Sequence, residues 1–261
     1  MEKNMKKNMK RYLHTENISV NFGSKVVLDK VSADFYAGTM TAVIGSNGVG
    51  KTTYLKSIAH LAPNAGKTYL MENGVASYNK KEIAYVPQLG SLQTKLTVFE
   101  MVLLGLVHNL KWHVTDEQTS RVYETLEELS LLKIAMQPFN TLSGGQKQLV
   151  SMAQSLIGKP KVLLLDEPTS ALDLRHQLIV MNLAEEYTKK EQAITLFVVH
   201  DLMLASRYGE NLFVLHNGGI RAYDKAEKVL TPDLISEVYG VTAQIIPTGE
   251  KYHMVLPLKP I

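Results

Sequence analysis

Residues 44–59, IGSNGVGKTTYLKSIA, constrain this chain more than any other stretch, because three glycines fall within the first seven positions. The stretch fits G-x-x-x-x-G-K-[ST] and follows the mostly apolar run TMTAVI. Glycine permits backbone conformations that turn N–H groups inward, and the missing side chains let an anion approach them. We therefore predict a phosphate-binding loop between a buried strand and a helix from about Lys51 to His60. The residues predicted to hold the ligand are Gly45, Ser46, Asn47, Gly48, Val49, Gly50, Lys51, Thr52 and Thr53.

The side chains that close this loop indicate a nucleotide and a metal ion. Lys51 places a positive charge where it neutralises β- and γ-phosphate oxygens, and the following helix adds free N–H groups and the positive end of its dipole. The hydroxyl of Thr52 is a ligand for Mg²⁺, which prefers a few protein oxygens together with phosphate oxygens.

A second run, VLLLDEP, supplies two adjacent carboxylates at the end of an apolar strand. The strand fixes Asp166 at its carboxyl end, which is the edge where open α/β sheets bind ligands, so Asp166 is a predicted metal ligand. Glu167 points to the other side of the chain and is the predicted general base, which orients and polarises the attacking water.

The stretch LSGGQKQ, upstream of these carboxylates, predicts a second bare helix start. Ser143 is suited to cap the helix, and Gly144 and Gly145 leave its first turn open, with Gln146 following. Because one nucleotide needs only one such cradle, the second is expected to serve a nucleotide held by another copy of the chain. A two-fold dimer of this kind buries two ATP molecules between its subunits.

These motifs together resemble those of ATP-binding cassette (ABC) transporter ATPase subunits, over roughly residues 14–258. The resemblance implies that Phe22 stacks on adenine, although most members carry Tyr there, and that Gln88 of YVPQ senses Mg²⁺ and the attacking water. It also implies that Asp173 of SALD crosses the dimer interface and that His200 of VVHD contacts the γ-phosphate. The implied cofactors are ATP and Mg²⁺, the implied catalytic residues are Glu167, His200 and Gln88, and the implied metal ligands are Thr52, Gln88 and Asp166.

The predicted fold class is α/β, with a P-loop NTPase core, a parallel-rich sheet, an N-terminal antiparallel β subdomain and a helical subdomain insert. Short alternating strands are expected before the glycine loop, and hairpins around Asn73–Gly74 and around Gly218–Gly219 after it. Helical spacing of apolar residues from Thr97 to Leu132 indicates the insert, which we place at about residues 93–157. A break in its helices is expected at Gly105 and the segment KWHVTDEQ. Residues 1–13 are expected to be a disordered basic tail, and residues 14–261 the ABC ATPase domain.

The bulk composition excludes several classes of function. The chain has no cysteine, which excludes thiolate metal sites and cysteine nucleophiles, and a net charge of +3 is too small to indicate a nucleic-acid partner. No run of 18 apolar residues occurs, so the chain is not expected to cross a membrane itself. Transport therefore requires separate multi-span permease subunits, which are expected to dock on the residues after Gln88, at the cytoplasmic face of the membrane.

The C-terminal stretch LTPDLISEVYGV resembles that of ATPases from importers of iron–siderophore, haem or vitamin B12. We therefore expect an ATP-hydrolysing subunit that energises uptake of such a metal chelate, with an extracytoplasmic substrate-binding protein as an indirect partner. Two alternatives remain open, namely a soluble ABC ATPase that is not engaged in transport and the ATPase subunit of an exporter. A P-loop kinase or GTPase is set aside because LSGGQ has no role in either.

Overall fold

The structure, a computed structural model, describes residues 11–88, 94–109, 114–249 and 252–261. The strands are β1 (Arg11–Phe22), β2 (Lys25–Tyr36), β3 (Met40–Ile44), β4 (Ala65–Glu72), β5 (Val75–Ser77), β6 (Ile83–Val86), β7 (Val162–Asp166), β8 (Ile194–Val198), β9 (Asn211–His216), β10 (Gly219–Lys225), β11 (Val241–Pro247) and β12 (His253–Pro260). The α-helices are α1 (Lys51–Ile58), α2 (Val98–Leu103), α3 (Asp116–Glu128), α4 (Gly144–Leu156), α5 (Leu174–Glu191), α6 (Leu202–Tyr208), α7 (Ala226–Val229) and α8 (Pro232–Tyr239).

An antiparallel sheet in the order β2-β1-β4-β5 forms the N-terminal part of the fold. The short strands expected here are in fact two strands of 12 residues each, and shifts of register along β1 bend them without ending the pairing. The expectation that residues 11–13 belong to a disordered tail is wrong, because β1 begins at Arg11 and Leu13 is buried. Residues 1–10 lie outside the described residues.

A six-stranded sheet in the order β10-β9-β3-β8-β7-β6 forms the centre, and all its neighbouring pairs are parallel except β9 with β10. Every residue of β3, β7 and β8 is buried, as expected for parallel strands that are covered on both faces. Because parallel strands end at the same edge, the segments that follow β3, β6, β7 and β8 meet there. This edge carries the candidate site.

A separate apolar cluster joins helices α2, α3 and α4 within the interval predicted for the helical subdomain. Each of the three helices begins with a capping box, in which the residue before the helix and the third helical residue satisfy each other's backbone N–H groups. The break expected within KWHVTDEQ falls partly on residues 110–113, which lie outside the described residues. The buried members of the cluster include Val98, Met101, Val122, Leu126, Phe139 and Val150.

Two tight hairpins follow the predicted turns closely. The first turns at Asn73–Gly74, between β4 and β5, which confirms that prediction. The second turns at Asn217–Gly218, because Gly219 already pairs with His216, so it lies one residue earlier than the expected Gly218–Gly219. Within the described residues, no helix combines the length and hydropathy needed to cross a bilayer. The predicted fold class, with its antiparallel sheet, parallel-rich core and helical insert, is confirmed.

Candidate functional site

The glycine loop connects β3 to α1 and needs glycine where the chain leaves the sheet. Gly45 has a φ of +147°, and a Cβ added there would lie 2.3 Å from the carbonyl oxygen of Leu215 in β9. No other residue fits that position without moving the backbone of a central strand. The loop therefore starts in close contact with the sheet and then opens toward solvent at Asn47 and Gly48, which are exposed.

Lys51 is directed back at its own loop. Its Nζ donates hydrogen bonds to the carbonyl oxygen of Gly45 at 2.8 Å and to that of Ser46 at 3.0 Å. Burial lowers the pKa of Lys51, and the neighbouring carboxylates of Glu167 and Asp166 oppose that effect. The ammonium is thus already in the loop, where a phosphate group offers it a charged acceptor in place of two neutral ones.

The carboxylate of Asp166 is almost fully enclosed, with 3 % of the residue exposed, and both of its oxygens accept hydrogen bonds. Thr52 Oγ1 donates to Oδ1 at 2.7 Å, and Tyr85 Oη donates to Oδ2 at 2.7 Å. Burial, followed by the bond to Asp166, raises the pKa of Tyr85, which keeps its hydroxyl protonated as a donor. Hydroxyl and carboxylate oxygens side by side are the ligand types that Mg²⁺ prefers, so these residues fit that ion.

Glu167 brings the other predicted catalytic residues together. Its Oε1 lies 2.7 Å from Nε2 of His200, and its Oε2 accepts a hydrogen bond of 2.9 Å from Nε2 of Gln88. The side chain of Glu167 is 19 % exposed and that of His200 is 48 % exposed, so water reaches the pair. The backbone of Glu167 has a φ of +50°, an uncommon conformation for a non-glycine residue, and strain of this kind is concentrated at functional sites.

A cleft of about 520 Å³ opens between the glycine loop and this group. Phe22 lies on its rim, with 58 % of the residue exposed, and offers an aromatic surface to a ligand. The site residues that line the cleft are Phe22, Asn47, Gly48, Gly50, Lys51, Thr52, Thr53, Glu167 and His200.

The signature residues form the helix start that the sequence predicts, away from this cleft. Ser143 Oγ accepts the N–H of Gln146 at 3.3 Å, and Gln146 Oε1 accepts the N–H of Ser143 at 3.0 Å. Asp173 caps α5 by accepting the N–H of His176 at 2.9 Å. Among the described residues that line the cleft, none belongs to the signature and none is Asp173.

His176, which the sequence reasoning did not single out, joins the signature to Asp173. Its Nδ1 lies 2.8 Å from Oδ2 of Asp173, and hydrogen bonds from His176 lower the pKa of Asp173. The ring also fills the space beside Gly145, because a Cβ added there would lie 2.2 Å from Cδ2 of His176. Gly145 is therefore required by the packing of the His176 ring within a single chain.

Replacing Gly145 by alanine is expected to destabilise the chain by about 1–3 kcal/mol, because the methyl group overlaps the His176 ring. Thermal unfolding of the purified variant measures this loss. Gly144→Ala is the matched control, since its Cβ meets only Leu172 Cδ2, at 3.9 Å, and alanine favours the helix. Equal unfolding temperatures for the two variants would contradict the packing described for His176.

Comparison with known proteins identifies the family. A model of the family described as ABC transporter matches residues 28–170, which contain the glycine loop, the signature and both carboxylates. A hemin import ATP-binding protein of Vibrio parahaemolyticus is 35 % identical over 238 residues, 87 % of this chain and 90 % of its own. An iron(3+)-hydroxamate import ATP-binding protein of Bacillus subtilis is 33 % identical over 241 residues, 90 % of each chain.

Solved structures agree with the sequence relatives. A metal-chelate type ABC transporter in an inward-facing conformation superposes with a TM-score of 0.83 at 25 % identity, over 96 % of this chain and 98 % of that one. The ATP-binding cassette MJ0796, in a dimeric post-hydrolysis state with ADP and Pi, superposes with a TM-score of 0.70 at 26 % identity, over 82 % of this chain and 98 % of that one. This chain belongs to the ABC transporter family.

Proposed function

We propose that this chain is the ATP-hydrolysing subunit of an ABC importer for a metal chelate of the iron–siderophore, haem or cobalamin class. The observation that carries the proposal is the single cleft in which the glycine loop, Lys51, Glu167 and His200 face one another. A cation for phosphates at the start of a helix and a carboxylate for water at a strand end, both lining one cleft, are what phosphoryl transfer to water requires.

In this proposal the triphosphate enters the loop and draws Lys51 away from the carbonyl oxygens of Gly45 and Ser46. Phe22 stacks on adenine at the rim. Glu167 accepts the proton of the attacking water, while His200 and Gln88, which already bond to its two oxygens, fix the carboxylate and contact the γ-phosphate side of the cleft. Glu167, His200 and Gln88 follow β7, β8 and β6 at the carboxyl edge of the parallel strands, whereas Phe22 ends β1 of the antiparallel sheet.

Thr52, Asp166 and Gln88 are the residues proposed to hold Mg²⁺ with the nucleotide. The ion neutralises charge on the β- and γ-phosphate oxygens when it is bound. The hydrogen bond from Thr52 to Asp166 keeps both side chains in place beside the loop beforehand.

A second copy of the chain is proposed to complete each cleft. Gly144 and Gly145 leave the first turn of α4 without side chains. Neither these glycines nor Ser143 and Gln146 line their own cleft, so the nucleotide they would contact belongs to a partner. Asp173, fixed to the same surface by His176, reaches the interface with them. The dimeric state described for MJ0796 supports this arrangement.

The proposed partners in the membrane are multi-span permease subunits, with this chain as a peripheral subunit on the cytoplasmic face. An extracytoplasmic substrate-binding protein is an indirect partner. The chelate class rests on the names of the hemin and iron-hydroxamate import relatives and on the metal-chelate transporter that this structure superposes on. The residues expected to receive the permease include 89–93, which lie outside the described residues.

Reconstitution of the chain with its co-purified permease in proteoliposomes tests the proposal. We expect ATP-dependent accumulation of haem, a ferric hydroxamate or cobalamin, with ATPase activity stimulated by the loaded binding protein. Purification without any membrane partner, together with ATPase activity that no chelate changes, would contradict an importer role.

Replacing His200 by alanine is expected to lower kcat for ATP by about 10²-fold or more, since the carboxylate of Glu167 loses the group that orients it. The Kd for ATP should change little, because the loop and Lys51 are untouched. Steady-state kinetics and equilibrium binding separate the two quantities. His60→Asn is the control: His60 has a φ of +56°, which asparagine tolerates, and it does not line the cleft. A His200→Ala enzyme with wild-type kcat would remove His200 from the mechanism.

A further inference from the structure

The C-terminal helix α8 contacts the glycine loop through one hydroxyl group. The backbone N–H of Gly45 donates a hydrogen bond of 3.1 Å to Oη of Tyr239, a residue 194 positions later in the chain. Tyr239 is the last residue of α8, and no part of the proposed mechanism has used it. The contact joins the start of the phosphate loop to an element that lies outside the cleft.

The helix that carries Tyr239 is firmly anchored. Thr231 caps its start by accepting the N–H of Leu234 at 3.2 Å. Gly240 ends the helix in a left-handed conformation and donates its N–H to the carbonyl oxygen of Ser236 at 2.9 Å. The buried residues of α8 belong to the same apolar cluster as β3, the strand that leads into the loop. The hydroxyl therefore occupies a position set by the core rather than by the loop.

Gly45 is held on three sides. Its N–H donates to Oη of Tyr239, and its carbonyl oxygen accepts from Lys51 at 2.8 Å. Its Cα faces the backbone of Leu215, with no room for a side chain. Two of these restraints persist when the ligand arrives, whereas the bond from Lys51 is the one that a phosphate group would take over. Burial raises the pKa of Tyr239 to about 12, so its hydroxyl is neutral at physiological pH.

We propose that Tyr239 is a positioning residue for the phosphate loop, which keeps the Gly45 end of the loop in place while Lys51 transfers from the loop carbonyls to the nucleotide. This role rests on the proposed function, because it takes a nucleotide as the ligand of the loop. The hydroxyl accepts an N–H that would otherwise be left without an acceptor beside the sheet, and so preorganises the cradle.

The test is Tyr239→Phe, which keeps the ring and its packing and removes only the acceptor. Tyr208→Phe is the matched control, since its hydroxyl donates to Oδ1 of Asn182 at 2.8 Å and does not touch the loop. For Tyr239→Phe we expect the Kd for ADP and ATP and the KM for ATP to rise about 3–10-fold, with kcat within about twofold of wild type. For Tyr208→Phe all of these constants should stay at wild-type values.

Two further readouts keep a positioning role apart from a structural one. The amide of Gly45 should exchange with solvent faster in Tyr239→Phe than in the control, while the unfolding temperatures of the two variants fall by similar amounts. If Tyr239→Phe matches the control in Kd, KM and Gly45 exchange, Tyr239 has no role in positioning the loop. Failure of the wild-type chain to bind ATP overturns the proposed function itself, and the Tyr239 role with it.

Discussion

The Glu167→Gln variant should bind ATP with near wild-type affinity and hydrolyse it at least about 10³-fold more slowly than the wild-type chain. Glutamine preserves the shape of the side chain and can still contact His200 and Gln88. It cannot accept the proton of the attacking water, and this is the only step it should remove. Single-turnover hydrolysis, with ATP affinity measured separately by equilibrium binding, gives both quantities.

The same variant should accumulate as a dimer in ATP, because each nucleotide stays between the loop of one subunit and the signature helix of the other. Light scattering at saturating ATP measures the mass directly. Glu237→Gln is the control, since Glu237 is an exposed carboxylate that pairs with Arg221. A Glu167→Gln chain that remains monomeric would refute the shared site, and one that hydrolyses ATP at the wild-type rate would refute the assignment of the base.

The Lys51→Ala variant should lose ATP affinity by about 100-fold or more, since charge-assisted hydrogen bonds to phosphate are among the strongest polar contacts a loop can make. The loss should be larger for ATP than for ADP, because the ammonium is expected to reach the β- and γ-phosphates. Titration calorimetry with each nucleotide measures the difference.

Lys56→Ala, a lysine in the last turn of the same helix α1, is the matched control for Lys51→Ala. Both changes remove one positive charge from α1, but only the first removes a group that lines the cleft. Equal affinities for the two variants would mean that bulk charge, rather than the position of Lys51, governs binding, and the phosphate-loop assignment would be wrong.

The sequence predicts best the parts of the site that are local. Three elements depend on residues within a few positions of one another, so short sequence motifs are enough to predict them. They are the loop at Gly45–Thr52, the buried strand before Asp166 and the cap at Ser143. The lengths of β1 and β2 were less accessible, because they depend on pairing between distant strands that continues through shifts of register.

The residues that the sequence did not single out act across the fold. Tyr85 reaches Asp166 over 81 positions, and Tyr239 reaches Gly45 over 194. Tyr85 stands three residues before Gln88 at a strand end, which is a weak signal, and His176 stands three residues after Asp173 on α5, which is equally weak. Contacts of this kind follow from tertiary packing, and the hydrophobic periodicity of the sequence does not predict them.

The two hydrogen bonds on Glu167 bear on which step controls ATP hydrolysis. One oxygen of this carboxylate faces His200 and the other accepts from Gln88, and each oxygen keeps a second lone pair for a water molecule. Under the proposed function, the carboxylate is therefore in place in every subunit, and what an isolated subunit lacks is the signature helix of a partner. A surplus of unassembled subunits would then leave the cell's ATP pool largely untouched.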